Sequence, residues 1–315
     1  MGKRRIRLIR KYDPTITIIG VDTNAQRRKV CETEHGIRTY ENLEVSLEEN
    51  RIDCAFICTS PLSHSGLTTS CLENSIHVFT ELNLVSNGYN RNIALAKEHG
   101  LVLFLSSTFL YREEIKAIDE LVRGAGCLLN YSYHVGQYLP DWHPWESYKD
   151  FFVGAKETNG CREIFAIELP WLTNTFGNIR EIHTVKNKMS GLDVDYDDNY
   201  LLTVQHDTGH KGVLCVDVVS RKPVRMLEVY GENLYLQWDG TPNGLKLFDF
   251  DIKKEKTIRM YDEIDQLRDY SQYIVENAYM NEVVAFFDAV KGKSEPSYSF
   301  EKDKEILRII DEIEG

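Results

Sequence analysis

The sequence has no apolar run approaching the roughly 20 residues that a membrane-crossing helix requires. Its basic opening, Met1 to Lys11, is followed by neither an apolar core nor a small-residue cleavage site, so it does not read as a signal peptide. These two absences lead to the expectation of a cytoplasmic protein. There is no basic excess either: 37 Lys and Arg stand against 49 Asp and Glu, a net charge of −12. That balance excludes broad nucleic-acid or membrane-surface binding, and an anionic substrate would need a local basic pocket. No Cys-x-x-Cys occurs. The seven cysteines are odd in number, scattered and mostly set in apolar runs, which predicts reduced core thiols. Internal repeats and low-complexity linkers are also missing.

Metal and nucleophile motifs fail on inspection. Asp193-Val-Asp195-Tyr-Asp197-Asp198 begins like a calcium loop, but position six is Asp198 rather than glycine and position twelve is Val204. It is expected to be a solvated acidic turn. His206 and His210 flank a hairpin turn, and no metal is expected there. Ser63-His64-Ser65 lacks an oxyanion-loop context, which argues against nucleophilic hydrolysis.

What is present is a chain of 315 residues, long enough for two domains, with 42% hydrophobic and 27% charged residues, in the globular range. After a helix over 3–12, Thr15 to Asp22 reads as a buried strand, being β-branched and almost continuously apolar. A polar helix runs from Ala25 to His35 and stops at Gly36. Strand 54–59, helix 64–74, strand 77–82, helix 88–99 and strand 101–107 continue the alternation, which predicts a parallel, doubly wound sheet. Beyond Thr108 come a helix from Tyr111 to Gly124, a long strand from Leu128 to Leu139 and a helix over 161–176. Strands then dominate as far as 261, implying a second, α+β domain with a large, mostly antiparallel sheet. The expected division is 1–108, 109–298, and a helix over 299–315 packing back on the first domain.

Asp22 ends the first strand, where a dinucleotide fold uses an acidic side chain to bind the adenosine ribose; the bland alternative is a solvated strand-end carboxylate. A glycine loop to go with it is missing, since only Met1 and Gly2 precede the first helix. Met1 to Arg7 resembles the end of the G-x-G-S-M-G-K-R stretch of the Gfo/Idh/MocA oxidoreductases. Cys54-Ala-Phe-Ile-Cys-Thr59-Ser-Pro61-Leu-Ser-His64 resembles that family's strand and C-T-x-P-x-x-H turn, and His77 to Leu84 its H-V-x-x-E-K-P-L. The segments 277–287 and 303–313 match as well, so the resemblance spans essentially the whole chain.

The resemblance implies a Rossmann-like domain lacking its first strand, and NAD as cofactor, bound less tightly for want of the glycine loop. It also implies that the native protein starts upstream of Met1. Gly2 would meet the pyrophosphate at a helix N-terminus. Asp22 would hold ribose and favour NAD over NADP, although Arg27 and Arg28 could accept a 2′-phosphate. Thr59, Pro61 and His64 would border the adenine-to-ribose path, and Glu81 would bind the nicotinamide-side ribose.

Two departures bear on catalysis. The family lysine of E-K-P falls on Leu82, and its catalytic histidine falls near Ile167. Leucine cannot stabilise charge during hydride transfer. Glu163 and Glu168 are the nearby substitutes as acid/base groups, against the alternative that they are helix-surface carboxylates. The segment from His134 to Lys149 mixes aromatic rings with hydrogen-bonding groups, as sugars require. Gln137, Tyr138, Asp141, Trp142, His143 and Lys149 are its candidate substrate residues, with Trp145 beside them and His143 also a candidate acid/base; the alternative is an aromatic clasp between domains. The expected function is NAD(H)-dependent oxidation or reduction of a sugar or nucleotide sugar, of the kind used in surface-polysaccharide biosynthesis. The alternative is a catalytically degenerate sugar-binding or regulatory homologue. Two apolar sets on the strands from 179 to 238 cannot both face one helical layer, so a homo-oligomer, dimer or tetramer, is expected through the second-domain sheet.

Overall fold

The computed structural model describes residues 1–143, 146–267 and 271–315; the predicted substrate-loop residue Trp145 lies outside them. The first stretch contains α1 (Gly2–Tyr12), β1 (Ile19–Val21), α2 (Ala25–His35), β2 (Arg38–Tyr40), α3 (Leu43–Glu49), β3 (Cys54–Ile57), α4 (Pro61–Glu73), β4 (His77–Thr80), α5 (Tyr89–His99) and β5 (Leu103–Leu105). Then come α6 (Glu113–Gly124), β6 (Leu129–Gly136), α7 (Gly160–Phe176), β7 (Ile179–Asn187), β8 (Asn199–His206), β9 (Lys211–Asp217) and β10 (Val224–Gly231). The chain closes with β11 (Tyr235–Trp238), β12 (Lys246–Asp249), β13 (Lys254–Thr257), α8 (Glu276–Val290) and α9 (Phe300–Glu314). No helix among the described residues is long and apolar enough to cross a membrane.

One compact unit comprises residues 1–81, 87–106 and 279–300. Its strands are all parallel and lie in two pieces, β1-β2 and β3-β4-β5, with no described strand joining them. Phe56, Phe79 and Phe104 stack across β3, β4 and β5 with ring centroids 4.8 and 4.9 Å apart, and Phe286 of α8 packs edge-on against all three. This aromatic block, with Leu72, Ile76 and Val78, excludes water from the sheet's centre. The first strand is shorter than its apolar run predicts. Asp13 accepts hydrogen bonds from the Thr15 amide and hydroxyl, and that local turn holds the chain out of the sheet until Ile19. Gly36 closes α2 as expected, at φ 58°. The short β2 and α3 were not foreseen, since three and seven residues carry too little periodicity.

The second unit comprises residues 82–86, 107–278 and 301–315. Its eight-stranded sheet has the order β13-β12-β11-β10-β6-β9-β8-β7 and is antiparallel except for the β6-β9 pair. One face buries Tyr131, Tyr133, Leu202, Leu214, Val216, Leu227 and Trp238 on the side of α7, itself almost wholly apolar. On the other face Val185, Leu201, Val213 and Met226 remain exposed.

Two expectations need correction. The last helix does not group with the first unit: residues 301–315 belong to the second, where Arg162 binds Asp311 and Glu314, while α8 from Tyr279 onward belongs to the first through Phe286. Nor is the acidic turn solvated throughout. Asp198 is fully buried and accepts from the Met189 and Ser190 amides and the Ser190 hydroxyl, capping the loop before β8.

Candidate functional site

In the first unit, α1 begins at Gly2, with no atom within 4 Å of the place a Cβ would take. Asp22 follows β1. One of its carboxylate oxygens accepts from the Asn24 amide at 2.8 Å, and the other lies 4.0 Å from Arg27, both side chains being solvent-accessible. Arg28 bonds the Asp22 carbonyl at 2.7 Å rather than the carboxylate. The β3-α4 turn carries Thr59 at the surface and Pro61 in the first helical turn, while the buried His64 ring bonds the Thr59 carbonyl at 3.0 Å. His64 therefore fastens the turn on which Thr59 sits.

Glu81, just past β4, is held by Arg5 through Nε at 2.6 Å and Nη2 at 3.2 Å. The same guanidinium reaches Glu282 at 2.8 Å and stacks over Phe79 at 4.4 Å, and Ser106 donates to Glu282 at 2.9 Å. Burial opposes the charge on Arg5, but Glu81 and Glu282 outweigh it and leave the guanidinium more basic than usual. Burial raises the Glu282 carboxyl, against the pull of Arg5. The Cys58 thiol, 3.8 Å from Glu81, is pushed by burial up to about 12 and is inert as a nucleophile. Glu81 is thus a pre-oriented carboxylate whose position depends on Arg5.

In the second unit, Glu168 is fully buried on α7 and fully partnered. Tyr133 and Trp171 each donate to it at 2.7 Å, and Arg225 at 2.5 Å. Burial raises the Tyr133 phenol well above its ordinary value, with the Glu168 charge adding to it. Glu163, one turn earlier, differs. The residue is half-buried, but its Oε2 is sealed from solvent without a hydrogen-bond partner among the described residues, and desolvation pushes the carboxyl up to about 7. Ile167 and Leu82 are half-buried and offer no acid/base group.

The described residues of the loop after β6 make contacts within the loop and with neighbouring segments. Trp142 donates from its indole to the Gln137 carbonyl at 3.1 Å, and Arg221 lies 4.0 Å over the Tyr138 ring. His143 bonds Glu146 at 2.8 Å and packs on Phe151, while Asp141 is exposed. Lys149 is an exposed surface cation paired with Asp193. Gln137, Tyr138 and Trp142 come together; Lys149 is committed to Asp193, in the turn between β7 and β8. His206 bonds Tyr131 and the Gly177 carbonyl, and His210 accepts from the Leu129 amide.

Sequence reasoning missed Arg5, Glu282, Arg221 and Arg225. A signal existed for three: Arg5 shares its helix face with Leu8 and Ile9, Glu282 sits beside Val283 one turn before Phe286, and Arg225 alternates on β10 with Leu227 and Val229, so each is a charge at a core position. Arg221 lies in a short polar stretch without periodicity.

Residues 1–107 match the model of the Gfo/Idh/MocA oxidoreductase family, NAD-binding Rossmann fold. No curated protein matches the chain. Among solved structures, the chain is similar to GenD2 from gentamicin A biosynthesis in complex with NAD, at 17% identity, TM-score 0.78, and coverage of 99% of this chain and 89% of that one. It is also similar to the WlbA dehydrogenase from Bordetella pertussis in complex with NADH and UDP-GlcNAcA, at 15% identity, TM-score 0.79, and coverage of 99% and 92%. A third is the UDP-N-acetylglucosamine 3-dehydrogenase GnnA from Acidithiobacillus ferrooxidans, at 15% identity, TM-score 0.75, and coverage of 98% and 92%. At these identities the likeness is one of fold.

Proposed function

We propose that the chain, whose residues 1–107 match the model of the Gfo/Idh/MocA oxidoreductase family, is an NAD(H)-dependent oxidoreductase acting on a sugar, with nucleotide sugars the favoured class. The observation that carries the reading is Glu163: a carboxyl with one buried, unpartnered oxygen, pushed up to about 7. A group titrating there has both protonation states populated near neutrality, which acid/base catalysis requires. Glu168, tied to Arg225, Tyr133 and Trp171, acts as a positioning residue for the sheet.

The residues present fit the adenosine half of the cofactor: a solvent-accessible carboxylate on Asp22, open space at Gly2, and Thr59 and Pro61 in the turn held by His64. Glu81, oriented by Arg5, would accept from the second ribose. Bound NAD supplies the hydride acceptor or donor. The chain's own part is at the sugar hydroxyl. As the C–H bond gives up its hydride, the ionised Glu163 takes the hydroxyl proton, and in the reverse direction it returns it. Gln137, Tyr138 and Trp142 would bind the sugar, the rings against its C–H faces and the amide against its hydroxyls, with Asp141 and His143 alongside. Nucleotide sugars are favoured because WlbA was solved with UDP-GlcNAcA and GnnA is a UDP-N-acetylglucosamine dehydrogenase. Copies of the chain would associate through the exposed face of the large sheet.

Titration of NADH by fluorescence, followed by assay of the holoprotein with UDP-sugars, tests the reading; failure to bind NADH at millimolar concentration would sink it. The second reading, sugar binding without hydride transfer, draws on Leu82 and Ile167, which stand where lysine and histidine are expected. Sugar binding that is indifferent to NADH, with no turnover, would support it.

A further inference from the structure

We propose that His134, Cys215 and Asp217 form a binding site for a zinc-class divalent ion on the exposed face of the large sheet. The sheet register places them. In the parallel β6-β9 pair, His134 lies opposite Cys215 and Gly136 opposite Asp217. Side chains alternate across a strand, so His134, Gly136, Cys215 and Asp217 all point to one face. Val135, Leu214 and Val216, which alternate with them, are buried on the other.

Gly136 provides the room. A Cβ there would lie 2.4 Å from Oδ2 of Asp217 and 2.8 Å from its Cγ, so any larger residue would displace the carboxylate. The carboxylate is also held from behind: Oδ1 accepts from the Val219 and Ser220 amides at 2.9 and 2.7 Å. Oδ2 is thereby turned to the His134 ring, 2.7 Å away, with the Ser220 hydroxyl at 3.0 Å. One imidazole nitrogen, the Cys215 sulfur and an Asp217 oxygen all lie within 4.8 Å of one another. Zinc binds such atoms at about 2.0–2.3 Å, which spaces tetrahedral donors by roughly 3.3–3.8 Å. The His134 side chain is 40% exposed, so its ring can turn to open the gap to Asp217.

The donor chemistry selects the ion. Nitrogen, sulfur and oxygen together suit zinc or cobalt, whereas magnesium and calcium take all-oxygen shells. The Val219 and Ser220 amides are the outer hydrogen bonds that such a carboxylate ligand needs. Three protein donors leave a fourth position for water. His134 lies 81 residues before Cys215 and 83 before Asp217, so no local spacing joins the three.

The test uses the full chain, stripped with a chelator and titrated with cobalt. One ion per chain is expected, with the near-ultraviolet charge-transfer band of a cobalt–thiolate bond, and zinc should abolish that band by displacement. Cys215→Ser should remove the band, and His134→Ala and Asp217→Asn should each weaken binding at least about tenfold, while Cys127→Ser leaves it intact. Zinc X-ray absorption on the unsubstituted chain decides the matter even where a variant fails to fold. A shell of one sulfur with nitrogen and oxygen supports the site. No stoichiometric binding, a shell without sulfur, or a band that survives Cys215→Ser overturns it and leaves a plain histidine–aspartate pair beside a thiol.

Discussion

Arg225 of β10 reaches the carboxylate of Glu168 on α7 at 2.5 Å, with the glutamate side chain fully buried and the arginine 13% exposed. Burial opposes the guanidinium charge, but Glu168 and Tyr133 outweigh it and keep Arg225 more basic than usual. Removing one member leaves the other buried and uncompensated. Arg225→Met should therefore cost about 3–5 kcal/mol in chemical denaturation. The double variant Arg225→Met, Glu168→Gln should recover most of that loss. Equal losses in the single and double variants would show that the ion pair is not the source.

Glu163 gives a pH signature. Its carboxyl rises from 4.5 in the unfolded chain to about 7 in the fold, so the native state keeps a proton that the unfolded state has released between those values. Stability should fall as pH rises from about 4.5 to about 7, and level off above. Glu163→Gln should flatten that slope, being nearly neutral at pH 4 and stabilising at pH 8, as read from urea midpoints. The same variant should lose most turnover if the proposed role holds. A pH profile identical to that of the parent chain would refute the buried, unpartnered carboxyl.

Gly212 lies opposite Tyr131 in the β6-β9 pair, and a Cβ there would fall 1.9–2.4 Å from the tyrosine ring. Tyr131 is buried and packed at a tilt against Phe176, 4.6 Å between ring centroids, so the ring has nowhere to go. Gly212→Ala should cost about 1–3 kcal/mol by overpacking, and Tyr131→Leu in the same chain should relieve part of it. A thermal melt of the two variants checks this.

Val213 and Leu201 are 51% and 47% exposed on the open sheet face. If copies associate there, Val213→Lys with Leu201→Asp should yield monomers by light scattering at micromolar concentration while leaving the fold's circular dichroism unchanged. Monomers in the unsubstituted chain would remove the proposed interface.

Much of the fold was legible because it is local. The alternation of short apolar strands with helices marks the first unit, and the strand-dominated stretch as far as 261 holds β7 to β13 of the large sheet. The run from Cys161 to Phe176 gives α7 to within one residue. These follow from which side chains avoid water, and a chain's own periodicity records that. Asp198 shows the limit: its acidic neighbourhood suggests solvent, yet the Met189 and Ser190 amides make burial favourable.

Partnership was not legible. Arg5 and Glu282 are 277 residues apart, Glu168 and Arg225 57 apart, and His134 and Asp217 83 apart. A sequence can mark a charge on a core-facing position, as it does for Arg5, but which opposite charge meets it is decided by strand order, register and helix packing. Glu163 and Glu168 stand five positions apart on one helix, and only the tertiary structure gives one of them three partners and leaves an oxygen of the other with none. Burial makes that difference count, because a carboxylate that water cannot reach depends wholly on the groups the fold brings to it.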